Sequence, residues 1–226
     1  MFHRAALLAL FSSTVLMGTT QAEVQGFDIS HYQPNVNFQS AYSSGARFVI
    51  IKATEGTNYL DPKFSEHWTG ATNASLIRGA YHFARPSSGS GAAQATFFLA
   101  RGGWTKDGRT LPGMLDLEPG TSQCYGLSAS AMVAWIRDFS DTYHGKTGRY
   151  PMLYTNPSWW TACTGDSKAF VQTNPLVLAR YASSPGSIPG GWPYQTIWQY
   201  ADKYTYGGDG DKFNGDEAGL KKLALG

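Results

Sequence analysis

Phe48-Val49-Ile50-Ile51-Lys52 is a continuous apolar run that ends on a cation and follows Gly45 by three residues. A run with no polar face fits a strand covered on both sides, as strands are in a parallel barrel. Working outward from it, β-branched and aromatic runs recur near residues 25–29, 47–53, 77–83, 111–117, 150–155, 176–181, 194–200 and 209–214. Segments with helical spacing fall at 36–44, 62–74, 89–101, 128–143 and 166–173. The clearest is 128–143, where Ser128 suits an N-cap, Met132, Ile136, Phe139 and Tyr143 form one apolar stripe, and Gly145 can end the helix. Alternation of strand and helix predicts an α/β fold with parallel strands joined by crossover helices. The last three strands have little or no helix between them, so the helical ring should be incomplete.

Residues 1–22 have the layout of a signal peptide: Arg4, an apolar stretch from Ala5 to Met17, then small residues ending Thr20-Gln21-Ala22. The apolar stretch is short for a membrane span, which needs about 20 residues, and Ser12, Ser13 and Thr14 interrupt it. Cleavage after Ala22 would leave residues 23–226 as a single domain with 17 Lys and Arg against 16 Asp and Glu. A near-neutral chain without a basic cluster gives no reason to expect nucleic acid as a partner. Cys124 and Cys163 are the two cysteines; an even count in a secreted chain predicts one disulfide, and two cysteines are too few for a zinc site of recognisable spacing. Asn73-Ala74-Ser75 is a glycosylation sequon, whereas Pro157 blocks the one at Asn156.

In a β/α barrel the C-terminal strand ends meet at the rim that carries active sites. Read to those ends, the strands deliver Asp28, Lys52 with Glu55, Tyr81 with His82, Asp116 with Glu118, Tyr154, Arg180 with Tyr181, and Trp198-Gln199-Tyr200. Residues two apart on a strand point the same way, so Asp116 and Glu118 share a face. Two neighbouring carboxylates resist double ionisation, which leaves a protonated acid beside an ionised partner, as glycosidic cleavage requires. Tyr81, Tyr154, Trp159, Trp160, Trp192 and Trp198 lie in rim segments where their flat faces could stack on sugar rings. Trp68 and Trp135, inside helices, are better read as packing, and His31 and His82 as hydrogen-bonded structural histidines.

At these residues the sequence resembles the Chalaropsis-type lysozymes, glycoside hydrolase family 25, and most of all their fungal branch. The resemblance is carried by Gly26-Phe27-Asp28-Ile29-Ser30, Phe48 through Gly56, Gly79-Ala80-Tyr81-His82-Phe83, Asp116-Leu117-Glu118, Tyr150 through Thr155 and Trp198-Gln199-Tyr200. It implies a modified barrel of five β/α units and three further strands, (β/α)5(β)3, and N-acetylmuramidase activity on the β-1,4 bonds of peptidoglycan. By motif it makes Glu118 the proton donor and Asp116 the assisting carboxylate, with Asp28 in the same acidic site. A fourth Asp belongs to a late strand; Asp209 fits by its distance from Phe213, with Asp211 close behind.

The resulting expectation is a secreted, monomeric, retaining muramidase that acts by substrate assistance and needs neither metal nor organic cofactor. Tyr81, Tyr154, Trp198, Gln199, Lys52 and Glu55 are the expected substrate-binding side chains. The rivals are a glycan-binding barrel without catalysis and a chitinase-like hydrolase.

Overall fold

The computed structural model describes residues 23–226, so the expected signal peptide over 1–22 lies outside the described residues. The elements run β1 (Glu23–Ile29), α1 (Phe38–Ser43), β2 (Phe48–Glu55), the two-residue β3 (Tyr59–Leu60), α2 (Phe64–Asn73), β4 (Ile77–Phe83) and α3 (Gly91–Leu99). They continue with β5 (Met114–Asp116), α4 (Ala129–Thr147), β6 (Met152–Thr155), α5 (Pro157–Thr164), β7 (Leu176–Ala179), β8 (Ile197–Ala201), β9 (Asp209–Asn214) and α6 (Glu217–Leu225).

Strands β1, β2, β4, β5, β6, β7 and β8 pair in parallel succession; β9 then pairs antiparallel with both β8 and β1 and closes the barrel. Strand β3 folds back on the end of β2 as a short hairpin outside the barrel wall. Five strand–helix units followed by three strands make the (β/α)5(β)3 arrangement that the resemblance implies.

Parity along β2 shows how the apolar run works. Phe48 and Ile50 point into the barrel, against Met114, Met152, Val177, Ile197 and Phe213. Val49 and Ile51 point outward and pack with Phe38 and Ala41 of α1 and Ala71 of α2. Complete burial of such side chains is worth about 1.5–3 kcal/mol each before chain entropy is counted. The inner layer is tight enough to need a glycine: a Cβ at Gly26, which is in register with Phe48, would lie 2.4 Å from the Phe48 ring.

Three helix expectations change. Residues 166–173 form turns, and the fifth helix is α5, nucleated by Asn156, whose side chain accepts from Trp159 N, and by Pro157 in the first turn. Helix α4 runs past Gly145 and ends at Gly148, which takes the left-handed conformation at φ 73°. Helix α6, capped by Asp216, was not expected. The Cys124–Cys163 disulfide is present, with Cα atoms 5.3 Å apart. Among the described residues no helix is long and apolar enough to cross a membrane. Asn73 is exposed at the end of α2.

Candidate active site

Above the apolar floor, the same inward-facing parity delivers polar groups. Asp116 is the last residue of β5, and Glu118 follows on the same side; Asp28 comes from β1, in register with Asp209 of β9. Tyr81 and Tyr154 join the inner wall. A cavity of about 240 Å³ opens beside Glu118, Tyr154 and Tyr181, with Asn156, Ala179 and Arg180 completing its lining.

Two cations stand on one side of this mouth. Lys52 Nζ lies 2.6 Å from Glu55 Oε2, and Arg85 Nη2 lies 2.6 Å from Glu55 Oε1. Burial pushes the Glu55 carboxyl up, but the hydrogen bonds and charges of Lys52 and Arg85 outweigh it and hold it below the usual range. Glu55 is therefore the counter-ion that fixes two cations. Arg85 was not expected here, although it continues the inward parity of Tyr81 and Phe83.

Asp116 is buried, and its Oδ1 has no hydrogen-bond partner in the protein. Burial, then the charge of Glu118, raises its carboxyl well above the ordinary range, while Lys52 opposes the rise. Glu118 is also raised by burial, against Lys52 and Arg85 and with the charge of Asp209. Both carboxyls are therefore raised, so protons are retained here where isolated carboxylates would have lost them. Glu118 is steadied through its backbone: its carbonyl accepts from Tyr125 Oη at 3.1 Å. Tyr125 adjoins Cys124, which the disulfide ties to α5.

The other side of the mouth is organised by an amide. Gln199 Nε2 donates to Asp28 Oδ2 at 2.7 Å and to Asp209 Oδ2 at 3.1 Å, while its Oε1 accepts from Tyr154 Oη at 2.8 Å and Tyr181 Oη at 3.2 Å. All four hydrogen-bonding positions of the side chain are filled. Burial and the charge of Asp209 raise Asp28 to about 8, against the Gln199 hydrogen bond. Asp209 is raised by burial and by Asp202. Asp211 sits deeper, opposite Gly26, buried and with Oδ2 unpartnered. Asp209 is thus the residue at the mouth, and Asp211 lies below it.

Other expected side chains lie elsewhere. Trp198 is buried, but on the outer barrel face: its indole N–H donates to Arg180 O at 2.8 Å, and it packs edge-on to Tyr200 with Lys212 over its ring. Gln199 points in, so its neighbour must point out. Trp159, Trp160 and Trp192 are buried in the layer between barrel and helices and cannot stack on a sugar. His82 is buried between Thr54 Oγ1 at 2.7 Å and Gln94 Oε1 at 2.8 Å, and burial lowers its pKa to about 4, which leaves it neutral. His31 is hydrogen-bonded to Asp61 at 2.8 Å. Among the described residues no three His, Cys, Asp or Glu side chains are grouped so as to hold a metal ion.

Comparison with known proteins agrees with this geometry. The family model described as Glycosyl hydrolases family 25 matches residues 27–209. An N,O-diacetylmuramidase of Chalaropsis sp is 67% identical over 90% of this chain and 100% of its own length. Lysozyme M1 of Streptomyces globisporus is 47% identical over 89% of this chain and 71% of its own. The structure of a muramidase from Trichobolus zukalii superposes with a TM-score of 0.88 at 67% identity, covering 89% of this chain and 99% of that one. A family GH25 lysozyme from Aspergillus fumigatus superposes at 0.89 and 58% identity, covering 91% and 100%. With the barrel, the carboxylate-lined mouth and these matches in hand, the chain belongs to the glycosyl hydrolases of family 25.

Proposed function

We propose that this glycoside hydrolase is a secreted, monomeric muramidase that cleaves the β-1,4 bond between N-acetylmuramic acid and N-acetylglucosamine in peptidoglycan. The observation that carries the reading is the convergence of Asp28, Asp116, Glu118 and Asp209 on one barrel mouth, with pKa values raised by shared burial. Relatives named N,O-diacetylmuramidase extend the proposal to muramic acid that also carries an O-acetyl group.

Glu118 protonates the leaving oxygen, for which a raised pKa is the useful perturbation. The attacking group is the substrate's own N-acetyl carbonyl, oriented by Asp116, so the configuration is retained. Asp116 and Glu118 rise from one strand end, whereas double displacement needs carboxyls about 5–5.5 Å apart on either side of the bond. Asp28 and Asp209, across the mouth, are the competing nucleophiles. An acetamido group already beside the anomeric carbon gains the advantage of an intramolecular reaction.

The test is clearance of bacterial walls with chitin as control, repeated on glycan stripped of its muramic N-acetyl groups. New reducing ends at muramic acid from walls alone support the activity, and equal release from chitin overturns it. Undiminished turnover of de-N-acetylated glycan at equal binding, or a covalent adduct on Asp28 or Asp209, overturns substrate assistance.

A further inference from the structure

Just outside the mouth, three rings stand together on surface that the reaction scheme leaves unused. Tyr32 is 78% exposed and Tyr59 is 36% exposed. His31 lies between them, its ring centroid 4.2 Å from that of Tyr32 and 6.2 Å from that of Tyr59. Exposed tyrosines are common singly; this group is anchored. The Asp61 carboxylate, 5% exposed, accepts from His31 N at 3.1 Å and pairs with His31 Nδ1 at 2.8 Å through the same oxygen. Its second oxygen accepts from Lys63 N at 2.9 Å, and Tyr59 Oη lies 3.3 Å from His31 Nδ1. Removing a carboxylate from water is costly unless it is paired, and here the pairing holds the half-buried His31 ring in place. Rings fixed before binding lose little conformational freedom on contact.

The cluster is continuous with the catalytic groups. Tyr59 lies across the hairpin from Glu55, in register, and Lys52 Nζ is 5.4 Å from the Tyr59 ring centroid. Lys52 also acts on the charges of Asp116 and Glu118. A polymer that leaves the mouth on the Lys52 side comes up against these rings. The faces of Tyr32 and Tyr59 offer apolar surface edged by hydroxyls, which matches a pyranose: C–H bonds on its face, hydroxyl and acetamido groups at its edge.

We propose that Tyr32 and Tyr59, braced by His31 and Asp61, form an outer subsite that stacks a hexosamine ring of the same glycan strand, beyond the sugars flanking the scissile bond. The inference rests on the reading of Glu118 as the acid. Its effect is added affinity for long strands; a short fragment that fills only the mouth does not reach it.

The experiment measures affinity for peptide-free glycan fragments, tetrasaccharide against octasaccharide, in a Glu118→Gln background that leaves the substrate uncut. The octasaccharide should bind more tightly, and Tyr32→Ala with Tyr59→Ala should erase about tenfold of that gain. Tyr32→Ala alone should erase part of it; that side chain is too exposed for its loss to unfold the protein, which thermal unfolding checks. Tyr194→Ala, also exposed but on another surface, should erase none. An unchanged gain in the folded platform variants overturns the subsite, as does an equal loss in Tyr194→Ala. Near-wild-type turnover by Glu118→Gln instead faults the catalytic assignment, a separate readout.

Discussion

The two sides of the mouth solve one problem differently. Both hold desolvated carboxylates. On the β5 side, Asp116 and Glu118 face Lys52 and Arg85, cations fixed by Glu55, and these oppose the rise that burial imposes. On the β1–β9 side, Asp28 and Asp209 face the neutral Gln199 amide, and no cation is among the groups acting on them. A full charge adjusts how readily a proton leaves; an amide fixes position while leaving a buried carboxyl protonated. On the proposal that Glu118 is the acid, the side that exchanges a proton with substrate is the one with the counter-charge, while Asp28, raised to about 8, stays protonated near neutrality.

The sharpest break is Glu118→Gln, which deletes the transferable proton at nearly constant shape. Turnover of walls should fall by about 10²- to 10⁴-fold with glycan binding retained, measured by turbidity and by affinity for uncut fragments. Gln199→Leu tests the other side. Asp28, Asp209 and two phenols lose partners together, and unfolding in denaturant should show about 2–3 kcal/mol of lost stability. Lys52→Met reduces the asymmetry to the charge of Arg85: without Lys52, Asp116 and Glu118 hold protons to higher pH, and the basic limb of the kcat/KM profile should move up by about one pH unit.

The smallest effect concerns stability against pH. Asp28, Asp116 and Asp211 have folded pKa values above their unfolded ones, so the folded chain binds more protons. Their contribution is complete below about pH 4; that of Asp28 is lost as pH rises through about 8, and those of Asp116 and Asp211 are lost in the same direction above the ordinary carboxylate range. Glu55 and Asp107, with lowered values, contribute above their unfolded range and lose that stability only in acid. The melting midpoint should therefore fall between pH 5 and pH 8, by about 2–4 °C for each kcal/mol lost, and Asp211→Asn should flatten the slope. A flat wild-type profile would mean that these three carboxyls do not take up protons on folding.

Much of this was legible from parity and strand ends. The run at Phe48–Ile51 predicted a strand covered on both faces, and the Asp116-Leu117-Glu118 tripeptide predicted two carboxylates on one side. Parity also limits which rim residues can enter the pocket. Trp198, Gln199 and Tyr200 are consecutive on a strand, so they cannot all face the pocket, and Gln199 is the one that does. Trp159 and Trp160 were read as rim aromatics although Asn156-Pro157 is an N-cap followed by a first-turn proline, which begins a helix whose apolar side must be covered. No local pattern could show that Gln199 would join residues 171 positions away in sequence, because that contact exists only once the barrel closes.

The antiparallel seam between β1 and β9 carries a consequence in time. Asp28 faces Asp209, so the cation-free side of the mouth joins the first strand to the last. Contacts so distant along the chain form late and slow folding. During synthesis at about 5–20 residues per second, the helix-wrapped strands have long since emerged before β9 can dock. The emerging chain therefore has Asp28, Asp116 and Glu118 but lacks Asp209, and its mouth is complete only at the final strand insertion.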